Sequence, residues 1–298
     1  MAIKFHRDLE FEYGRADAVS PLVRRIVASN PSPFSYHGTG TYVVGHGQVA
    51  VIDPGPDDQH HVDALLHALR GETIKAVLVT HTHIDHSPAT PLLKAATGAP
   101  VYAYGPHPLP APGLEPQQGG DTGFAPDHLL ADGDTVTGPG WSLEALYTPG
   151  HISNHLCFAL PEERTLFSGD HVMGWSTSVI SPPDGSMGDY FASLRKLLPR
   201  DDLRYLPTHG PAVPAPQDFV RGFIEHREDR ERQILACLAS GPQNIPQMVA
   251  AMYRDVAPIL HPAAARSVHA HLIHMAETGR VASDGPPAAD AIYRLPGH

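Results

Sequence analysis

The chain has 298 residues, 42% apolar and 18% charged, the make-up of a globular protein organised as one large α/β domain or one large domain with a small companion. No apolar run approaches the roughly 18–20 residues of a membrane helix, and the opening stretch MAIKFHRDLEFEYGRAD has no apolar signal core and too many acids for a transit peptide, so a cytoplasmic location is expected. The formal charge of −11 repels polyanions at long range and argues against indiscriminate nucleic-acid binding, although bound divalent cations would restore positive charge that this count omits.

In chain order, TYVVG and QVAVIDPG read as a hairpin of two strands joined around Gly45 and Gly47. DDQHHVDALLHALRG places Val62, Leu65, Leu66 and Leu69 at helical spacing and closes on Gly71; its His60, His61 and His67 are expected in solvent. TIKAVLVT is a short buried strand. Ser87–Pro88 or Thr90–Pro91 then offers an N-cap with proline in the first turn, opening the helix PLLKAATG. Residues 105–127 are rich in Pro and Gly without periodicity, and read either as a surface insertion or as a cover over a site. Further strands are expected in WSLEALYT, HLCFAL, RTLFSG and LRYLPTHG, with a helix in DYFASLRKLL. Cys157, in HLCFAL, and Cys237 lack any zinc-knuckle spacing and read as small buried hydrophobes, not a disulfide. After GPAVPAPQ the character changes: three helical stretches, DFVRGFIEHREDRERQILACLAS, NIPQMVAAMYRDV and PAAARSVHAHLIHMAETGR, precede short strands near RVAS and AIYRL, the arrangement of a winged helix.

The chain contains 21 histidines, so spacing and not number has to carry meaning. VLVTHTHIDHSPATP sets His81, His83, Asp85 and His86 within six positions, directly after an apolar strand. Polar groups gathered this densely are costly to bury unless something binds them. On an extended segment His81, His83 and Asp85 share one face, and the turn into the next helix can bring His86 back beside Asp85. Further donors stand at the ends of later strands: His151 in TPGH, Asp170 in SGD and His209 in THG, each beside Gly or Pro in a loop that a rigid sheet can position.

Taken in order, DPG at Asp53, HTHIDH at 81–86, GH at His151, SGD at Asp170 and THG at His209 resemble the metallo-β-lactamase superfamily over about residues 20–212. The resemblance implies an α/β fold, the four-layer αββα sandwich, followed here by a small C-terminal winged-helix domain. The expected boundaries are 1–215 for the metal-binding hydrolase domain and 216–298 for the winged-helix-like domain. It further implies that His81, His83 and His151 bind one divalent metal ion, that Asp85, His86 and His209 bind a second, and that Asp170 bridges them. Zinc is the expected metal, with manganese and iron admitted by the same donors; redox di-iron members typically carry Glu where this chain has His83. The implied reaction is hydrolysis by a hydroxide held between the metals, with Asp85 also acting catalytically to orient the nucleophile and shuttle a proton. The chain departs from many relatives at Ser87–Pro88, where they have Gly.

Asp53 is expected beside the ligands and not among them, and His155 in hydrogen bonding within the fold. His269, His271 and His274 are expected in packing or surface roles, since positions i and i+2 diverge on a helix. Residues 175–190 are expected to border the pocket, where Tyr190 could reach substrate or pack. The winged helix, with NPSPFSYHGTGTYVVG and EHREDRERQIL, narrows the resemblance to the β-lactamase-like protein 2 group, which includes endoribonucleases acting on single-stranded RNA. Residues 217–298 hold eight Arg and no Lys against nine acids, poor electrostatics for phosphate contacts. The expected substrate is therefore a small ester, thioester, lactone or related acyl compound, with a metal-dependent endoribonuclease as the alternative. The winged helix is then a packing element, or a contact in a homodimer.

Overall fold

The computed structural model describes residues 3–109 and 119–297; part of the 105–127 segment lies outside the described residues. Two mixed sheets stack face to face. The first holds β1 (Ala16–Ala18), β2 (Val23–Val27), β3 (Gly40–Val44), β4 (Gln48–Ile52), β5 (Thr73–Leu78), β6 (Val101–Ala103) and β7 (His128–Leu129), in that spatial order. The second runs β13-β12-β11-β10-β9-β8, with β8 at Thr135–Gly138, β9 at Trp141–Tyr147, β10 at Leu156–Leu160, β11 at Thr165–Gly169, β12 at Arg204–Pro207 and β13 at Val213–Pro214.

Alternation along each strand builds the layers. Tyr42, Val44, Ala50, Ile52, Ala76 and Leu78 from the first sheet pack against Trp141, Leu143, Ala145, Phe158 and Phe167 from the second. The opposite face of the first sheet, through Val43, Val49, Val51 and Val77, meets Val62 and Leu65 of α1 (Gln59–Ala68) and Leu93 of α2 (Thr90–Thr97). The outer face of the second sheet, through Cys157, Ala159, Leu166 and Tyr205, meets Phe191 and Leu194 of α3 (Met187–Leu197) and Phe219 and Phe223 of α4 (Pro216–Leu238). The result is the αββα sandwich. The second half of α4, at Ile234 and Leu238, enters another core with α5 (Ile245–Met252), α6 (His261–Glu277) and Tyr293; β14 (Ala282–Ser283) and β15 (Tyr293–Arg294) form the wing. No helix among the described residues is long and apolar enough to cross a membrane.

Three local expectations change. Cys157 is buried as expected, but Cys237 is only half-buried. His61 is buried, not solvated: it falls on the inner face of α1 beside Val62 and Leu65, and its Nε2 reaches the Thr41 hydroxyl at 2.8 Å. The N-cap of α2 is Ala89, with no side-chain cap and proline in the first turn. Ser87 does not cap because its hydroxyl donates to the Asp121 carboxylate at 2.6 Å, and Thr90 already lies within the helix.

Candidate metal centre

Every candidate ligand leaves the sandwich along one rim. The 81–86 segment follows β5, His151 lies in the turn between β9 and β10, Asp170 comes directly after β11, and His209 two residues after β12. β5 ends at Leu78, the chain bends at Thr80 and His83 bridges Gly120; the amides of His86 and Ser87 then turn back onto the His83 carbonyl at 3.0 and 3.3 Å, which presents Asp85 and His86 together. All seven residues converge. His83 Nδ1 lies 2.9 Å from His81 Nε2 and 3.0 Å from His151 Nε2. Asp85 lies 3.2 Å from His209 Nε2 and 3.6 Å from His86 Nε2. Asp170 stands between these sets, one oxygen 3.7 Å from His151 and 3.8 Å from His86, the other 3.5 Å from His209.

Neighbouring groups dictate which nitrogen of each imidazole faces inward. Carbonyl oxygens only accept, so His151 donates Nδ1–H to Val179 O at 2.5 Å and His209 donates Nδ1–H to Gly38 O at 3.2 Å, leaving both Nε2 lone pairs for the centre. His86 gives its Nδ1–H to buried Asp53 at 3.0 Å. The single Thr80 hydroxyl proton goes to Asp53 at 2.8 Å, so the same oxygen accepts from His81 Nδ1 at 3.0 Å. Asp53 also takes the Thr80 amide at 2.7 Å and the Thr208 hydroxyl at 2.8 Å. Thr80 and Thr208 were not singled out in the sequence, yet each directly precedes a clustered histidine, in THTH and THG. His155 accepts the Asp170 amide at Nε2, 3.2 Å away, and faces the Thr148 hydroxyl with Nδ1 at 3.0 Å. Tyr190 is buried in packing, its hydroxyl donating to the His171 carbonyl at 2.8 Å.

Electrostatically the cluster calls for positive charge. Burial, reinforced by adjacent imidazoles, keeps His81 and His83 far below the ordinary histidine pKa and therefore neutral. Burial opposes charge on His86 as well, but Asp85, Asp170 and Asp53 override it and raise His86 to about 10. Burial would raise Asp85; the facing His86 and His209 instead hold its carboxyl well below the usual range. Among the described residues, buried His86 Nε2, His209 Nε2 and Asp170 Oδ1 have no hydrogen-bond partner. Orphaned donor atoms directed at one another, in a set of imidazoles and carboxylates, fit divalent cations.

The described flanks of the 105–127 segment are tied to this centre. Gly119 O accepts the Ile84 amide at 2.9 Å, the Asp121 amide donates to Thr82 O at 2.8 Å, and His107 meets the Thr82 hydroxyl at 2.9 Å. The C-terminal histidines lie elsewhere: His271 beside Glu231 at 3.4 Å, His274 tilted against Phe191, and His269 on the Pro287 carbonyl at 3.1 Å.

Two packed sheets carrying an imidazole and carboxylate cluster along one rim define a class of metal-dependent hydrolase, and residues 37–209, more than half of the chain, match the metallo-beta-lactamase superfamily: the chain belongs to it. Residues 245–288 match the beta-lactamase associated winged helix domain. At the level of individual proteins, the chain is 32% identical over 270 residues to the beta-lactamase-like protein 2 homolog of Drosophila melanogaster, covering 87% of this chain and 89% of the relative. It is 30% identical over 230 residues to the atrochrysone carboxyl ACP thioesterase of Aspergillus fumigatus strain Af293, covering 74% of this chain and 66% of the relative. A beta-lactamase domain protein from Burkholderia ambifaria shares the fold with a TM-score of 0.78 at 19% identity, over 97% of this chain and 95% of that one.

Proposed function

We propose that the chain is a dinuclear, zinc-dependent hydrolase of small acyl substrates: esters, thioesters or lactones. The convergence of seven donor side chains on one rim carries this reading. His81, His83 and His151 would hold one cation and Asp85, His86 and His209 the other, with Asp170 between them. Such a pair supplies Lewis-acid activation of water and of the substrate's carbonyl oxygen.

The protein's own groups handle orientation and protons. Asp85 is more open than Asp170, with side-chain exposures of 26% and 12%. It accepts a hydrogen bond from the attacking water, takes up the proton as the new C–O bond forms, and returns it to the departing alkoxide or thiolate. Asp53, Thr80, Val179 O and Gly38 O keep the imidazoles from turning, so no reorientation is needed during the reaction.

Two observations favour an acyl substrate over RNA. Ile84, set between His83 and Asp85, and Val179, whose carbonyl takes the His151 imidazole, are 55% and 42% exposed, apolar surface beside the ligands suited to a hydrocarbon chain. Segments 30–41, 79–91, 103–128, 148–156, 168–194 and 205–220 contain no Lys or Arg, whereas a polyanion needs clustered cations along its path. The thioesterase named among the relatives is in keeping with this chemistry. Zinc-loaded protein is expected to hydrolyse members of a panel of acyl thioesters, esters and lactones, and Asp170→Ala to lose metal and turnover together. Inertness toward the whole panel, with cleavage of labelled single-stranded RNA that Asp170→Ala abolishes, overturns the proposal.

A further inference from the structure

The EHREDRERQIL stretch takes no part in the chemistry above, yet its Arg227 is only 3% exposed. Withdrawing a guanidinium from water costs several kcal/mol, roughly, unless fixed partners answer the charge. Among the described residues the partners are few. The Arg227 guanidinium lies over the Tyr190 ring, 5.4 Å from its centroid, its Nη2 donates to the Ser178 carbonyl, and its Nε has no hydrogen-bond partner among them.

Ser178 belongs to the segment that begins directly after Asp170. Its hydroxyl and that of Tyr190 both donate to the His171 carbonyl at 2.8 Å, which closes the segment on itself. The next carbonyl along, Val179 O, accepts Nδ1–H of His151 and so aims His151 Nε2 at His83. We infer that Arg227 is a positioning residue for the metal ligand His151: by gripping the Ser178 carbonyl it sets the Ser178–Val179 peptide, and through Val179 O the orientation of the imidazole. The buried charge thereby gains a purpose beyond packing. One turn further along α4, Glu231 binds Arg280 at 2.6 Å and faces His271 at 3.4 Å, so the helix that aims His151 also anchors the winged helix.

The inference rests on the metal-centre reading, and its test separates the two. Full-length wild type, Arg227→Met and Arg227→Lys are stripped of metal, titrated with Zn2+ against a chelator of known affinity, and loaded with Co2+ for ligand-field spectra. Melting of the stripped proteins reports folding independently of metal. Arg227→Met is expected to weaken one of two Zn2+ sites by about 10–100-fold and to alter the Co2+ spectrum, the usual consequence of losing a group that orients a ligand. Arg227→Lys, which keeps a cationic donor, is expected to recover part of that affinity. Wild-type affinity at both sites in both variants overturns the inference. If Arg227→Met does not melt cooperatively, Arg227→Lys decides: a several-fold loss at one site supports the inference, and unchanged affinity overturns it. A wild-type protein that takes up no metal overturns the hydrolase proposal itself, and this inference with it.

Discussion

Asp53 shows how much one side chain can organise without touching substrate. Fully buried, it collects the Thr80 amide, the Thr80 and Thr208 hydroxyls and the His86 imidazole, drawing the ends of β4, β5 and β12 together. Asp53→Ala would strand these donors and is expected to cost about 3–5 kcal/mol of stability, measurable by urea titration. Asp53→Asn keeps the shape but no longer prefers the His86 tautomer that points Nε2 at the centre; a loss of zinc affinity of about 10–100-fold is expected in chelator competition. His61 sets a pH dependence of a different kind. Burial lowers its pKa to about 4, and among the described residues its Nδ1 has no hydrogen-bond partner that would stabilise a second proton. The unfolded chain therefore protonates first. The stability that His61 contributes is complete above its ordinary value near 6.5 and is lost as pH falls through about 4, up to about 3 kcal/mol in all. His61→Phe, which cannot titrate, is expected to lose less stability than wild type between about pH 7.5 and about pH 5 in paired denaturation curves.

Single turns couple the elements to the centre. Gly150, next to His151, has φ +137°, and a Cβ there would lie 2.4 Å from the Tyr190 Cα of α3. Gly150→Ala is expected to push α3 off the second sheet at a cost of about 2–4 kcal/mol and to weaken zinc binding, read by thermal melting and metal titration. The Gly in TPGH is visible in the sequence; the helix pressed against it is not. The same division runs through the other elements. Strands β5, β9 and β10 and helices α3 and α4 show their periodicity plainly, and the five motifs place the candidate ligands at strand ends. The short strands β1, β6 and β7 carry too few residues to declare a period, and Val23–Val27 has two arginines inside an otherwise apolar run. Ser87 has the right chemistry for a cap but gives its proton to Asp121, a partner 34 positions away. Val179 O and Gly38 O are invisible for a simpler reason: any residue supplies a carbonyl, so no side-chain pattern announces the one that orients a histidine.

Over the whole molecule, metal and fold are linked by mass action. Cations gripped only by the folded chain add stability that grows with their concentration, about 4 kcal/mol at a thousandfold excess over Kd. Stripping with EDTA is accordingly expected to lower the melting temperature, and zinc to restore it. A lasting absence of any shift would mean that the rim binds no metal. The rim draws its donors from both layers, with the 81–86 segment on the first sheet and His151, Asp170 and His209 on the second. An occupied rim thus behaves as a rivet through the sandwich: prying the layers apart would have to break coordination first, so β5 and β11 should surrender their amide protons to deuterium as one unit and not strand by strand.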